Sequence, residues 1–333
     1  MTDTVSTESA PDTGTDPGLA AVLDAVTLSP DGLRADVAGR SLSADTGRRL
    51  RQELIGAVYE TFHVGHVFEE ERPRSFRDAR LEERLAARTP HTTTPVRAVP
   101  YRPGDDGTKD SRIAVVRGIR LRLPDDVAYA DDGTVRLPAA RPGLSPGFFL
   151  VDGSRGTVEP GPVLRVYLHL DDPDEAERLW GATLRHLEDA AVRYRAKVTS
   201  SPRLFPRRDG LVVYLGHGAR GVLPGLVAAV RQPAKAGRSG LASSFAKNLA
   251  PGVAIAWEPR DERPGRQGMS FGQHRAAAVV DALFDAAENA AENPDAFLVR
   301  RLKEANVDPA AVYRNVDSPG FPNVAGANDQ GMI

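Results

Sequence analysis

Residues 162–170 read PVLRVYLHL, and residues 194–216 read YRAKVTSSPRLFPRRDGLVVYLG. In the first run Arg165, Tyr167 and His169 alternate with Leu164, Val166, Leu168 and Leu170, the period-two pattern of a strand with two unlike faces. Between the runs, DDPDEAERLWGATLRHLEDAAVR (171–193) opens on acidic residues suited to a helix N-terminus and keeps helical apolar spacing. YRAKV and DGLVVYLG (209–216) then follow as strands. Links this short leave no room for helical crossovers, so the sheet is mainly antiparallel.

Working outward, PGFFLVDG (146–153) reads as a short aromatic strand, RIAVVRGIRLRL (112–123) as period-two stretches and VAIAW (253–257) as a buried strand. VLPGLVAAVR (222–231), SFGQHRAAAVVDALFDAAENAAE (270–292) and PDAFLVRRLKEA (294–305) read as helices. GHGARG (216–221) fits no phosphate-binding fingerprint and reads as an ordinary strand-to-helix turn, and QPAKAGRSGLASSFAKNLAPG (232–252) as a loop. Upstream, LAAVLDAV is a short helix and VTLSPDGLRADV a hairpin about its PDG turn. SADTGRRLRQELIGAVYETF sets Leu50, Leu54, Ile55, Val58 and Phe62 at helical spacing with Ser43 as cap, and DARLEERLAAR is a charged second helix. RTPHTTTPVRAVPYRPGDDG (88–107) reads as a linker. The expected organisation is a disordered tail over 1–17, a helical and hairpin region with linker over 18–105, an α+β domain over 106–320, and a flexible tail over 321–333. The fold class is α+β, with a mixed, mainly antiparallel sheet flanked by helices and an N-terminal helical region.

The 333 residues carry 43 Lys+Arg against 45 Asp+Glu, a formal net charge of −2. A dedicated nucleic-acid binder needs a basic excess to displace counterions from phosphates, so that class is excluded. Five of the 43 are lysines, Lys109, Lys197, Lys235, Lys247 and Lys303, leaving 38 arginines. Chemistry that needs a titratable amine therefore has five candidates, whereas guanidinium groups for oxyanions are plentiful. Cysteine is absent, which removes disulfides, thiolate metal sites and cysteine nucleophiles. The seven histidines lack HExxH spacing, so no metal is expected. The N-terminus has no basic-then-apolar signal peptide, and no apolar run approaches the ~18 residues of a membrane span. The expectation is a cytoplasmic chain with no membrane partner.

Four segments set a cationic or titratable group among apolar neighbours: LRVYLHL with Arg165, Tyr167 and His169; YRAKV with Lys197; FPRRDGLVVYL with Arg207, Asp209 and Tyr214; and SFGQHR with Ser270, His274 and Arg275. The polar face of LRVYLHL is either solvated or lines a polar cavity. Antiparallel sheets commonly wet one side, which favours the solvated reading.

In this order and spacing the segments resemble the HopA1-like family, over about residues 145–290. The matching pieces are PGFFLVDG, the R-x-Y of Arg165 and Tyr167, YRAKV with Tyr194 where phenylalanine is usual, Arg207-x-Asp209-x-x-Val212-x-Tyr214, Phe245-x-Lys247-x-Leu249-x-Pro251-Gly252, and SFG-x-HR. Arg208 stands where a small residue or cysteine is common. That family includes a plant-pathogen type III effector and proteins of ribosomal peptide pathways, such as class V lanthipeptide and thioamitide biosynthesis, that work beside a phosphotransferase-like kinase. The resemblance implies a lyase that eliminates phosphate from phosphoserine or phosphothreonine in a precursor peptide, leaving dehydroalanine or dehydrobutyrine.

Such an elimination needs a base for the weakly acidic Cα proton, donors for the enolate oxygen and cations for the departing phosphate. Guanidinium groups hold phosphate without metal or other cofactor. Lys197 is the first choice as base and matches the family's strand lysine; Lys247 is the runner-up or a phosphate contact. His274, at a helix start, is the general acid or a phosphate donor. Arg165, Arg207, Arg275 and Ser270 are the phosphate-binding candidates, Asp209 orients Arg207, and Tyr167 donates to substrate. The partners expected are a phosphorylated precursor peptide, the companion kinase and a cyclase. The alternative is a noncatalytic phosphopeptide-binding or effector-like protein acting with a partner kinase or host target.

Overall fold

The computed structural model describes residues 15–65, 76–101, 113–116, 118–125, 127–231, 242–289 and 293–321. In chain order they begin with α1 (Pro17–Asp24), β1 (Val26–Leu28), β2 (Arg34–Val37), β3 (Arg40–Ser43), α2 (Gly47–Val58) with a π-helical turn over Tyr59–Val64, and α3 (Ala79–Ala87). There follow β4 (Thr93–Arg97), β5 (Val99–Pro100), β6 (Ile113–Val116), β7 (Ile119–Arg122), β8 (Thr134–Pro138), β9 (Phe148–Asp152), β10 (Leu164–Leu170), α4 (Pro173–Asp189), β11 (Tyr194–Thr199) and β12 (Arg207–Leu215). The chain closes with α5 (Leu223–Ala229), β13 (Lys247–Ala250), β14 (Val253–Trp257), α6 (Phe271–Glu288) and α7 (Pro294–Glu304). The fold is α+β.

Two compact units are built from interleaved segments, 1–67 with 243–247 and 256–319 in the first, and 68–242 with 248–255 and 320–333 in the second. The boundary expected between 105 and 106 lies outside the described residues.

In the first unit β1, β2 and β3 form an antiparallel meander, as the PDG turn requires. The tail expected over 1–17 gives way to helix at Pro17, because Asp16 caps α1 by accepting from the amides of Gly18 and Leu19 at 2.9 and 3.1 Å. Thr46, not Ser43, caps α2; its hydroxyl accepts from the Arg49 amide while Ser43 ends β3. Leu50, Leu54 and Val58 are fully buried, and Arg51 reaches Asp281 of α6 at 3.2 Å. Twelve residues of α6 are buried, so it is this unit's central helix. Gly272 lies where a Cβ would come within 2.1 Å of the His63 ring, which explains the glycine of SFGQHR by packing.

The second unit holds a sheet of order β13-β14-β10-β12-β11-β9, in which β10, β12, β11 and β9 pair antiparallel. Helix α4 starts where the sequence places it: Asp172 accepts from the Glu175 amide at 2.8 Å, Pro173 fills the first turn, and Asp174 and Glu175 face the positive end of the helix dipole. Its Trp180 is fully buried, packs edge-on against Phe149 of β9 and donates its indole N–H to Leu85 and Thr89 at 3.1 Å, joining α3, α4 and the sheet. The stretch read as a linker carries β4 and β5. Thr93–Arg97 pairs with β8, and Ala98 joins Ala114, Val116, Leu123 and Val135 in a small core. Likewise the loop read over 232–252 contains β13. β4 owes its order to β8, a partner distant in sequence, which local composition does not reveal; β13 is ordered by its neighbour β14 across the Pro251–Gly252 turn.

Candidate active site

Register decides which side chains share a face, because directly paired residues project to the same side. Across β10, β12, β11 and β9 one row is Arg165, Tyr214, Arg195 and Asp152, and the next is Tyr167, Val212, Lys197 and Leu150. The opposite side carries Val166, Val213, Ala196 and Val151 and takes α4. Five of the sequence candidates, Arg165, Tyr167, Lys197, Arg207 and Asp209, are thus gathered on adjacent strands. The solvated reading of this face does not hold: Arg165 and Arg207 are each 5 % exposed and Tyr167 2 %, with Lys197 half-buried.

The cations on this face differ in how they are held. Arg195 donates to both carboxylate oxygens of buried Asp152 at 2.7 and 3.1 Å, and Arg141 approaches the same carboxylate at 3.3 Å. Arg207 makes the equivalent paired contact with Asp209 at 2.8 and 3.0 Å, which fixes its fork. The Arg165 guanidinium lies 4.9 Å from the Tyr214 ring centroid. Lys197 is different: Nζ lies 3.9 Å from the centroid of the Phe148 ring, whose other cationic neighbour is Arg207 at 4.9 Å, and it has no carboxylate or hydrogen-bond partner among the described residues. Phe148, Arg195 and Asp152 were not singled out from sequence. Arg195 could have been, since it alternates with Lys197 in YRAKV; Asp152 could not, since its role rests on the β9–β11 pairing.

The remaining candidates belong to the first unit. Ser270 caps α6: its hydroxyl accepts from the Gln273 amide and donates to Gln273 Oε1, which in turn accepts from the Ser270 amide. His274 is 1 % exposed, with Nε2 2.9 Å from Asp261 and Nδ1 2.7 Å from the Arg275 guanidinium. A guanidinium only donates, so Nδ1 accepts and the ring proton sits on Nε2, directed at the carboxylate. Burial and then the Arg275 charge push His274 down to about 4, which keeps the imidazole neutral near pH 7. For Asp261 burial raises the pKa, but hydrogen bonds from the Arg263 side chain and amide and from His274 outweigh it and hold the group at about 2. Arg275, also 1 % exposed, donates to the carbonyls of Val312 and Arg314 and to Asn315 Oδ1, tying α6 to the C-terminal segment. Lys247 is exposed at the start of β13, 5.8 Å from the Tyr313 ring. The segment leading to it is pinned by Ser243, whose hydroxyl meets His63 Nδ1 at 2.8 Å and accepts from the Phe245 amide at 3.1 Å. Lys109 and Lys235 lie outside the described residues, and Lys303 is an exposed residue of α7.

Among the described residues no group of three or more His, Asp or Glu is placed to hold a metal ion, and no helix is long and apolar enough to cross a membrane. No curated protein matches the chain. Among solved structures, the effector protein from Pseudomonas syringae pv. tomato strain DC3000 is 14 % identical at a TM-score of 0.46, over 80 % of this chain and 90 % of that one. The effector protein from Pseudomonas syringae pv. syringae strain 61 is 12 % identical at 0.43, over 80 % and 92 %. The family model described as the HopA1 effector protein family matches residues 139–314, from just before β9 to beyond α7. That match covers more than half of the chain, which therefore belongs to the HopA1 effector protein family.

Proposed function

We propose that this protein is a phosphoserine or phosphothreonine lyase acting on a precursor peptide phosphorylated by a companion kinase. The observation that carries the reading is Lys197, an amine without an acidic partner, set on a sheet face beside the carboxylate-braced Arg207 and the row containing Arg165. A lysine acting as base must offer its amine lone pair to the substrate. In the proposed step Lys197 Nζ takes the Cα proton, the Cα–H pair becomes the Cα–Cβ double bond, and the Cβ–O bond breaks with its electrons going to phosphate. Arg207 and Arg165 hold the phosphate, and Tyr167 donates to the enolate oxygen. Ser270, His274 and Arg275 support the fold of the first unit in this scheme. The protein acts in the cytoplasm, where a cyclase consumes the alkene.

The test is mass spectrometry of a phosphothreonine-containing precursor peptide incubated with the protein. Loss of phosphoric acid and gain of a thiol-reactive alkene are expected, both abolished in Lys197→Ala. Unchanged peptide mass despite tight binding would sink the lyase reading. It would favour instead a phosphopeptide-binding effector, a reading supported by the family's description as effector proteins.

A further inference from the structure

His169 follows Arg165 and Tyr167 at the next alternate position of β10, where the pairing with β12 shifts register between Leu168 and Leu170. It is 5 % exposed. Its Nε2 lies 2.7 Å from Asp171 Oδ1; a carboxylate only accepts, so Nε2 carries a proton. The backbone amide of His169 donates to the Gly252 carbonyl at 2.8 Å, which fixes the residue from a second direction. The ring is thus oriented by a carboxylate at one nitrogen. The other, Nδ1, is buried and has no hydrogen-bond partner among the described residues. An orphaned buried polar atom is costly to a fold, so its persistence calls for an explanation.

The contrast with His274 is direct. There both ring nitrogens are occupied by Asp261 and Arg275, and the ring's one proton is committed to the Asp261 carboxylate. In His169 a carboxylate holds Nε2 while Nδ1 stays uncommitted among the described residues, the arrangement of a histidine that exchanges protons with substrate.

We infer that His169 Nδ1 meets the substrate phosphate and is the proton donor to the leaving group. This inference rests on the lyase reading. The step balances: as Lys197 takes the Cα proton and the Cβ–O bond breaks, the Nδ1 proton passes to the phosphate oxygen that receives the electron pair. The products are the alkene, protonated phosphate, an ammonium at Lys197 and a neutral imidazole at His169; one proton transferred from Lys197 to His169 through solvent restores the starting state.

Two measurements test it on the full chain. In protein labelled with ¹⁵N-histidine, titration with inorganic phosphate should shift the His169 Nδ1 resonance, assigned by its loss in His169→Gln. That variant keeps a group at the Nε2 position for Asp171 but has none at Nδ1, so phosphopeptide elimination should fall at least about a hundredfold with phosphopeptide affinity changed only a few fold. Elimination by His169→Gln at the wild-type rate overturns the inference and leaves the lyase reading standing. An Nδ1 resonance indifferent to phosphate also overturns it; if His169→Gln does not fold, sequential assignment of the wild-type protein identifies the resonance and this measurement decides alone. If Nδ1 responds but wild-type protein leaves the phosphopeptide mass unchanged, the donor role falls together with the lyase reading.

Discussion

Two clusters of charged residues in this protein are built from the same side-chain types and end differently. In the first unit, Arg263, Asp261, His274 and Arg275 form a continuous chain in which each charged or polar tip meets another group or a backbone carbonyl. On the sheet of the second unit, Asp152 and Asp209 brace Arg195 and Arg207, while the amine of Lys197 and Nδ1 of His169 have no hydrogen-bond partner among the described residues. The first arrangement uses up its hydrogen-bonding capacity in holding segments together. The second keeps capacity in reserve, which is what a group from outside requires. Residue type and proximity therefore do not separate the two clusters; what differs is the hydrogen-bonding capacity each leaves unspent.

The contrast can be broken most sharply at Lys197. Replacing it with alanine should lower phosphopeptide elimination by about 10²–10⁴-fold, the usual worth of a proton-transfer group, with an unchanged urea midpoint. A large stability loss with residual turnover would put Lys197 in the structural class. The reverse holds for Asp261→Ala, which leaves His274 and Arg263 without their carboxylate and should cost about 3–5 kcal/mol in urea unfolding.

Acidification probes the same chain. The pKa of His274 is held at about 4 in the folded protein against 6.5 ordinarily, so the unfolded state takes up the proton first. The stability it contributes is present above pH 6.5 and is lost as pH falls toward 4, about 3 kcal/mol in all. Asp261, at about 2 against 3.8, contributes only below that window: its share is present above 3.8 and is lost as pH falls toward 2. Denaturation between pH 7 and 4 should show the His274 slope in wild type and a flatter one in His274→Gln. Gly272→Ala, which drives a methyl into the His63 ring, should destabilise by about 1–3 kcal/mol. Smallest is Ser270→Ala, about 1 kcal/mol for a lost helix cap with elimination intact. A hundredfold loss of turnover there would return Ser270 to the phosphate site.

Much of this architecture was legible because it is local. Alternation in LRVYLHL and the acidic opening of α4 fix a strand and a helix start without reference to the rest of the chain, and the PDG turn does the same for β1 and β2. What failed to show was set at long range. Thr94 and Val96 sit in a strand only because β8 pairs with them, and Asp152 matters only because β9 lies against β11. The polar face of β10 follows a pattern that suits a wet surface equally well, and periodicity carries no information about burial. His169 and His274 likewise looked alike in sequence; what separates them is the second neighbour of each ring.

The first unit is closed by the two ends of the chain: α2 near the start packs with α6, some 200 residues later, and Arg51 meets Asp281 across that junction. On a ribosome adding about 5–20 residues each second, α2 waits roughly 10–40 seconds for its partner while β9 to β12 are already made. The amphipathic face of α2 is thus a liability of synthesis rather than of the finished protein. A nascent chain stalled before Phe271 would present Leu50, Leu54 and Val58 to whatever chaperone is at hand.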